Sequence, residues 1–354
     1  MTLRAAVLGA NGYGGAGLIE RLRRHPEVRE IAYASRSYAG RPLHQAWAQW
    51  EGLSEERFVT PDEALDGADV AFLATPHGAT APWVHRALSA GVRVVDLSAD
   101  SRLDADTYRT WYGEHPHPGD LADARYGLVE AHRGELPGAT LVASPGCNAT
   151  AVSLALLPFA AAGMLAGGEV PVCSVLAGAS GGGRATASGL HFAELAGNAS
   201  AYKVAGTHRH LAEIEATLGR ASLQGRELRT HEPYQPLAVS FTPHLIPAVR
   251  GVLASCTFRP AGTADEASLR KVLIEAYRHD PLVHVTEAPP QLKAVAGSDR
   301  ALANVRYDEH TGLATVFVAI DNLGKGAAGQ AVQAFNVAFG FAEPTALQLE
   351  GRWP

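Results

Sequence analysis

The N-terminal segment places a strand, a glycine-rich turn and a helix in direct succession. An apolar strand pattern over 3–8 leads into Gly9-Ala-Asn-Gly12-Tyr-Gly14-Gly15, and helical spacing follows over 16–24. This order is that of the first βα unit of a dinucleotide-binding sheet, in which the cofactor pyrophosphate rests on the helix N-terminus. The glycine spacing is G-x-x-G-x-G-G and not the commoner G-x-G-x-x-G. The segment therefore predicts an open α/β sheet that binds a dinucleotide.

The end of the next strand favours NADP over NAD. The strand pattern over 30–35 ends at Ser35-Arg36-Ser37, where an NAD-binding domain usually carries an acidic residue for the ribose hydroxyls. Hydroxyls and an arginine suit a 2′-phosphate, because the planar guanidinium matches phosphate geometry. The alternative is a solvated arginine in a turn. The sequence predicts NADP(H) as the cofactor.

A second strand–turn–helix junction carries a cysteine. The apolar run 141–143 leads through Ser144-Pro-Gly to Cys147, and a long apolar helix pattern continues to residue 162. At a helix N-terminus, unpaired backbone N–H groups and the helix dipole favour a thiolate. A thiolate in that position is a nucleophile for acyl groups. The alternative is a small buried apolar residue, which is what most single cysteines are.

Length, charge and cysteine spacing limit the class of protein. A chain of 354 residues predicts two domains, and a net charge of −6 gives no indication of nucleic-acid binding. Cys147, Cys173 and Cys256 lie far apart, so neither a disulfide framework nor a zinc site is expected, and the predicted metal content is none. No apolar run has the length of a membrane span and no secretory leader is evident. These features predict a cytoplasmic enzyme.

The pattern of apolar and polar residues changes beyond residue 170. Strand patterns predominate, with helices between them, and predict an α+β second domain on a largely antiparallel sheet. A helical pattern over 326–341 is expected to pack back on the first domain. The strand patterns cover 170–176, 238–241, 252–258 and 315–320.

One segment supplies candidates for proton transfer to and from the thiol. His208, His210 and Glu213 fall at the start of a predicted helix, where the carboxylate could orient an imidazole. Residues i and i+2 point to different faces of a helix, so one of the two histidines is expected to be catalytic, with His208 favoured. The alternative is a polar helix N-terminus that binds a substrate carboxylate or phosphate.

Taken together, the motifs resemble those of the N-acetyl-γ-glutamyl-phosphate reductases over the whole chain. The family is related to the aspartate-semialdehyde dehydrogenases, and the resemblance implies their fold. It implies an NADP-binding Rossmann domain at 1–147, an α+β catalytic domain at 148–320, a C-terminal segment at 321–354 whose helix returns to the Rossmann domain, and a dimer or tetramer. The matching motifs are 9–15, Ser35-Arg36, Ser144-Pro-Gly-Cys147, 178–184, His208-Arg-His210, 241–244 and 321–330.

The resemblance also implies roles for individual residues. Cys147 would form a thioester by attack on an acyl phosphate, and His208 or His210 would act as general acid/base. A non-redox cysteine acyltransferase or amidase has no use for the nucleotide loop, and a regulatory protein has no use for an intact thiol. The remaining roles are binding ones: Asn11, Gly12, Tyr13 and Gly14 on the pyrophosphate, Ser35, Arg36 and Ser37 by the adenosine phosphate, Asn322 on the cofactor, and Arg184 and His244 on the substrate.

Residue 148 departs from the arginine-pathway pattern. These enzymes usually carry an aromatic residue directly after the cysteine, and here it is Asn148. Asn148 and the segment 188–191 resemble the lysine-biosynthesis branch, the LysW-aminoadipyl-6-phosphate reductases of LysY type, whose substrate is attached to a small acidic carrier protein, LysW. The favoured expectation is therefore LysW-bound α-aminoadipyl phosphate as substrate, and the alternative is N-acetyl-γ-glutamyl phosphate, or both.

Overall fold

The chain folds into two compact units. The computed structural model describes residues 2–165, 169–185, 187–223 and 235–353. The first unit runs to Pro145 and includes Ala327–Leu347, and the second comprises Gly146–Gly326 and the residues from Gln348. The sequence-based boundaries, after 147 and after 320, differ from these limits. Cys147 belongs to the second unit because the helix that it begins packs there.

The first unit is built on a six-stranded sheet in the order β2-β1-β3-β4-β6-β5, and every neighbouring pair is parallel. Its strands are β1 (Leu3–Leu8), β2 (Val28–Ala34), β3 (Val70–Leu73), β4 (Arg93–Asp96), β5 (Ala124–Tyr126) and β6 (Leu141–Ala143). Its helices are α1 (Tyr13–Leu22), α2 (Pro61–Leu65), α3 (Ala81–Ser89), α4 (Ala105–Tyr112), α5 (Val129–His132) and, from the C-terminal segment, α11 (Gly329–Phe339).

Both faces of this sheet are covered by helices. Along β1, Ala5 and Val7 join one buried cluster with Phe335 of α11, which also contains the apolar face of α1. The intervening residues Ala6 and Leu8 join a second cluster that contains apolar residues of α2 and α3. A strand buried on both sides has no polar face, which explains why β1 is continuously apolar from Ala5 to Leu8. The first unit is therefore a doubly wound sheet of the Rossmann type.

The second unit contains a mixed seven-stranded sheet in the order β11-β12-β13-β10-β7-β9-β8. Four of its six pairings are antiparallel, and the pairs β7–β9 and β11–β12 are parallel. The strands are β7 (Val172–Gly178), β8 (Ser200–Ala201), β9 (Ser240–Ile246), β10 (Val252–Phe258), β11 (Val283–Val285), β12 (Ala301–Asp308) and β13 (Leu313–Ile320). The helices are α6 (Cys147–Ala161), α7 (Phe192–Leu195), α8 (His210–Ala221), α9 (Glu266–Tyr277) and α10 (Leu292–Val295).

Helix α6 forms the centre of the second unit. Every residue from Asn148 to Ala160 is buried, as expected for a helix that is apolar on all sides. It packs against α8, β10 and β13, and the Phe159 ring lies 5.1 Å from that of Phe258 on β10. Because α6 begins at Cys147, this packing fixes the position of the thiol.

None of the helices in the described part of the chain combines the length and the apolar character needed to span a bilayer.

Candidate active site

Two of the four glycines in the N-terminal turn are required by packing within the first unit. Gly9 has φ +85°, and a Cβ there would lie 2.5 Å from the carbonyl oxygen of Ala74. A Cβ on Gly15 would overlap the Gly9 carbonyl oxygen. These glycines let the turn pass close to the end of β3 and let α1 start directly behind β1.

The other two glycines, Gly12 and Gly14, have room for a Cβ at ordinary contact distances. A Cβ on Gly12 would come no closer than 3.4 Å to its nearest neighbour, and one on Gly14 would be 3.6 Å from the Ala74 Cβ. Neither has a positive φ, so nothing within the protein requires glycine at either position. Both lie at the start of α1, where Gly12 is the N-cap and the first-turn N–H groups attract an anion. This turn therefore fits a pyrophosphate that approaches the backbone closely.

The residues predicted to contact the adenosine phosphate lie at the same edge of the sheet as this turn. Leu8 and Ala34 are register partners on β1 and β2, so the loops that follow them are neighbours. Ser35 is buried and its Oγ accepts the Tyr38 N–H at 3.2 Å, whereas Arg36 and Ser37 are exposed. Ser35 therefore shapes the loop, and the guanidinium of Arg36 is accessible to a phosphate.

Cys147 is the first residue of α6 and is partly exposed. Gly146 is the N-cap, and its carbonyl oxygen accepts from Thr150 N at 2.8 Å and from Thr150 Oγ1 at 3.0 Å. A Cβ on Gly326 would lie 2.8 Å from the Cys147 Cβ, so only glycine lets that turn approach the cysteine. The thiol thus sits at a helix N-terminus, as the sequence predicts.

His210, the first residue of α8, is the histidine beside the cysteine turn. A Cβ on Gly146 would overlap its imidazole, with Nε2 as the nearest ring atom. The ring therefore lies against the backbone of the residue that directly precedes Cys147. This geometry favours His210 over His208, the histidine preferred from the sequence, as the one that serves the thiol.

His208 is buried behind His210. Its Nδ1 accepts the backbone N–H of His210 at 3.1 Å, and its ring packs against those of Phe241 at 5.2 Å and Tyr202 at 5.6 Å between centroids. Burial, reinforced by the charges of His210 and Lys203, lowers the pKa of His208 to about 3. The neutral ring therefore acts as a hydrogen-bond acceptor that fixes the start of α8.

Glu213 and Tyr202 complete the group. The buried Glu213 carboxylate accepts the Gly146 N–H at 3.0 Å, which ties α8 to the start of α6. The Asn148 side chain, which is 2 % exposed, donates to the Tyr202 hydroxyl at 3.3 Å. Burial raises the pKa of Tyr202, so the phenol stays protonated. The role of Tyr202 has no signal in the sequence, because only folding brings it to Asn148 beside the cysteine.

Asn322 is held inside the second unit. Its Oδ1 accepts from Gly251 N at 2.7 Å and its Nδ2 donates to Ser180 Oγ at 2.9 Å. The adjacent Asp321 carboxylate accepts from the backbone of Leu323 and Gly297. The Asp-Asn-Leu motif therefore has a structural explanation within the described residues, namely fixing the turn that presents Gly326 to Cys147.

The two predicted substrate residues have different positions. Arg184 is exposed, in the turn that follows Gly183. His244 lies on β9 one residue beyond Pro243, and Phe241, which contacts His208, pairs with the buried Cys173 of β7. Because neighbouring residues of a strand point to opposite faces, His244 lies on the sheet face opposite to Phe241. The structure does not bring it to the group around Cys147.

Comparison with known families agrees with both units. Residues 4–139 match the semialdehyde dehydrogenase NAD binding domain, and residues 147–322 match the semialdehyde dehydrogenase dimerisation domain. Two curated relatives are N-acetyl-gamma-glutamyl-phosphate reductases. The Thermus thermophilus protein is 47 % identical, covering 98 % of this chain and 99 % of the relative. The Desulforudis audaxviator protein is 42 % identical, covering 99 % and 100 %.

Solved structures confirm the predicted fold. Aspartate semialdehyde dehydrogenase II from Vibrio cholerae, complexed with ASA, superposes with a TM-score of 0.70 at 18 % identity, covering 95 % of this chain and 98 % of the other. The Candida albicans aspartate semialdehyde dehydrogenase with NADP has the same TM-score at 17 % identity, covering 95 % and 98 %. The chain therefore belongs to the N-acetyl-gamma-glutamyl-phosphate reductase family of semialdehyde dehydrogenases and is an oxidoreductase.

Proposed function

We propose that the protein reduces N-acetyl-γ-glutamyl phosphate to the semialdehyde with NADPH and releases inorganic phosphate. The observation that carries the proposal is Cys147 at the N-terminus of α6 with the His210 ring against Gly146. The names of the curated relatives support this substrate, the alternative of the sequence analysis, over the favoured LysW-bound aminoadipyl phosphate. Asn148 was the main basis of the lysine expectation, and its amide is buried against Tyr202.

The first chemical step is acyl transfer to Cys147. His210 takes the thiol proton, and the thiolate attacks the acyl carbon of the substrate. The C–O bond to the phosphate breaks, the phosphate leaves with its electron pair, and His210 returns the proton to it. The product of this step is a thioester on Sγ. The N-terminal dipole of α6 stabilises the thiolate before attack.

Backbone N–H groups of the first turn of α6 stabilise the negative charge on the carbonyl oxygen of the acyl group. Those of Asn148 and Ala149 have no acceptor within the helix by its geometry and lie next to the nucleophile. Donors fixed in this way act on the charge that develops on the carbonyl oxygen. Reduction of the thioester would give the alkoxide of a thiohemiacetal on Cys147. As this alkoxide collapses to the aldehyde, the C–S bond breaks and Cys147 is released as the thiolate.

The surrounding residues hold this pair in position. Glu213 fixes the backbone of Gly146, and His208 fixes the backbone of His210. Tyr202 is held by Asn148 through its hydroxyl oxygen, which leaves its O–H as a donor for the substrate. Glu213 and His208 therefore hold the cysteine turn and the His210 imidazole in position.

NADP(H) is the proposed cofactor, and when bound it supplies the hydride that reduces the thioester. Asn11, Gly12, Tyr13 and Gly14 at the start of α1 would hold its pyrophosphate. The loop Ser35–Ser37 would hold the adenosine phosphate, with the exposed guanidinium of Arg36 on the 2′-phosphate. A direct contact of Asn322 with the cofactor stays a prediction, since both of its polar atoms already bond within the second unit.

Substrate binding is proposed to involve Arg184, whose exposed guanidinium suits a carboxylate or phosphate. We leave His244 out of the proposed substrate site because it lies on the other face of the sheet from Phe241.

We further propose that the protein is a homo-oligomer whose second units pack sheet to sheet. The face of β7 away from α6 leaves Val172 55 % exposed and Ser174 exposed. On the same face, neighbouring strands present Thr257 and Thr315, whose hydroxyls are 3.0 Å apart. A broad face of small side chains suits stacking on another sheet, and the match to a dimerisation domain supports a second copy as the occupant.

Trapping the acyl-enzyme tests the reaction scheme. In the oxidative direction without phosphate, the enzyme should take N-acetylglutamate semialdehyde and NADP⁺ to the thioester and stop. We expect a burst of one NADPH per site and a mass increase of one acyl group on Cys147. Cys147→Ser should show neither but still bind NADPH. The matched control is Cys256→Ala, since that thiol is buried on β10. A full burst from Cys147→Ser would contradict the thioester.

A further inference from the structure

A cluster of two histidines and an aspartate lies on the surface of the first unit, apart from the residues given roles above. His85 is on the exposed face of α3, and His117 and Asp120 belong to the loop before β5. His85 is separated from the other two by more than thirty residues. The cluster is therefore a product of folding and leaves no motif in the sequence.

The three side chains converge. The imidazoles of His85 and His117 stack with centroids 4.1 Å apart and an angle of 2° between planes. His85 Nδ1 lies 3.2 and 3.1 Å from the two carboxylate oxygens of Asp120. One potential ligand atom from each residue lies within 4.8 Å of those of the other two.

The backbone holds two of the three residues in a tight turn. Asp120 N donates to the His117 carbonyl oxygen at 3.2 Å, and His117 N donates to Nδ1 of His115 at 3.1 Å. His115 is itself buried and packs on the Tyr108 ring at 4.8 Å. Because this turn is anchored to the unit, His117 and Asp120 present their side chains from a fixed base.

The donor set matches the chemistry of a divalent transition metal. Two imidazole nitrogens and a carboxylate oxygen suit zinc, cobalt, nickel or copper, and an open position remains for water. Ligands bound to zinc at about 2.0–2.1 Å lie roughly 3.4 Å apart in a tetrahedron. The two ring planes are parallel, and a metal lies in the plane of each imidazole that binds it, so one ring has to turn out of the stack for the pair to share an ion. The His85 side chain is 48 % exposed and Asp120 is 19 % exposed, which leaves them free to turn.

We propose that His85, His117 and Asp120 bind a divalent transition-metal ion of the zinc class on the surface of the Rossmann unit. The ion joins α3 to the turn at 117–120, two segments that already meet through the His85–Asp120 contact and the His85–His117 stack. Binding to the folded state alone raises the unfolding temperature. The proposal is independent of the reaction at Cys147.

Cobalt titration followed by absorption spectroscopy tests the site on the full-length protein. We expect one Co²⁺ per chain with visible bands of nitrogen and oxygen ligation, displaced by Zn²⁺, and a rise in unfolding temperature with Zn²⁺. His85→Asn and His117→Asn should each weaken binding by more than about tenfold, the loss that follows removal of even an outer-shell partner. Activity without metal should be unchanged in both variants.

His284→Asn is the matched control, because His284 is an exposed histidine on β11 in the other unit. It should bind cobalt like the unaltered protein. Equal affinity in His85→Asn and the unaltered protein would overturn the proposal. An intense sulfur-to-metal charge-transfer band would also overturn it, because the metal would then be bound at a thiolate.

Discussion

At the scale of single residues, two histidines in one segment have different surroundings. The His210 ring lies against Gly146, whereas His208 is buried with its pKa lowered to about 3. We predict that His210→Ala lowers kcat by about 10² to 10⁴, the usual contribution of a general acid/base. His208→Asn keeps an acceptor for the His210 N–H and should lower kcat by less than about tenfold.

Measuring kcat against pH for both variants separates the two roles. The rising limb of the profile should persist in His208→Asn and disappear in His210→Ala. If His208→Asn removed the limb and His210→Ala kept it, the assignment of the proton-transfer group would be reversed.

Gly146 sets the distance between imidazole and cysteine. A methyl group there would overlap the His210 ring, so Gly146→Ala must displace His210 or the start of α6. We predict a loss of kcat of at least about tenfold, because a shift of about 1 Å can cost 10²-fold. Gly134→Ala is the matched control, since a Cβ at Gly134 meets nothing within 4 Å. Turnover of Gly146→Ala equal to that of Gly134→Ala would show that the contact has no catalytic consequence.

At this scale, a residue's position can be predicted where the signal lies in adjacent residues of the chain. Cys147 could be placed at a helix N-terminus because the turn and the apolar run are contiguous. The choice between His208 and His210 could not be made, because it depends on contacts with Phe241 and Gly146 that lie far away in the chain. Asn148 supports the lysine-branch expectation in the sequence, whereas in the structure its amide bonds to Tyr202.

At the scale of elements, the segment between β8 and α8 depends on a neutral buried imidazole. His208 has a pKa of about 3 in the folded protein and about 6.5 when unfolded. Between these values the unfolded chain binds the extra proton, so His208 reduces the free energy of unfolding as pH falls from about 6.5. Above that pH its contribution to stability is fully present.

Urea unfolding at pH 7.5 and pH 5.0 checks this linkage. We expect the free energy of unfolding to fall less between the two values in His208→Asn than in the unaltered protein. His284→Asn, at an exposed position on β11, should follow the unaltered protein. An identical loss in all three proteins would show that His208 does not contribute.

The limits of helices and strands can also be predicted only where the signal lies in adjacent residues. The strand predicted over 252–258 is β10 without change, and its burial alternates from residue to residue. Helix α1 begins at Tyr13, three residues before the predicted helix, because Gly14 and Gly15 lie inside it. Strands β5 and β8 have three and two residues, and segments this short carry no periodic signal.

At the scale of the molecule, the fold could be predicted and the substrate could not. The sequence shows a succession of βα units followed by a series of strand patterns. These predict the Rossmann sheet and the second sheet that the structure shows. The cluster of His85, His117 and Asp120 has no signal in the sequence, because α3 and the turn at 117–120 meet only in the folded unit. Both candidate acyl phosphates are reduced through the same thioester, so the choice between them depends on a few contacts with the rest of the substrate.

The most direct test is NADP⁺ reduction in phosphate with two aldehydes, N-acetylglutamate semialdehyde and LysW-bound aminoadipate semialdehyde. We predict turnover with the acetylated aldehyde and its loss in Cys147→Ser. Turnover with the carrier-bound aldehyde alone would contradict the proposed substrate and return the protein to the lysine branch.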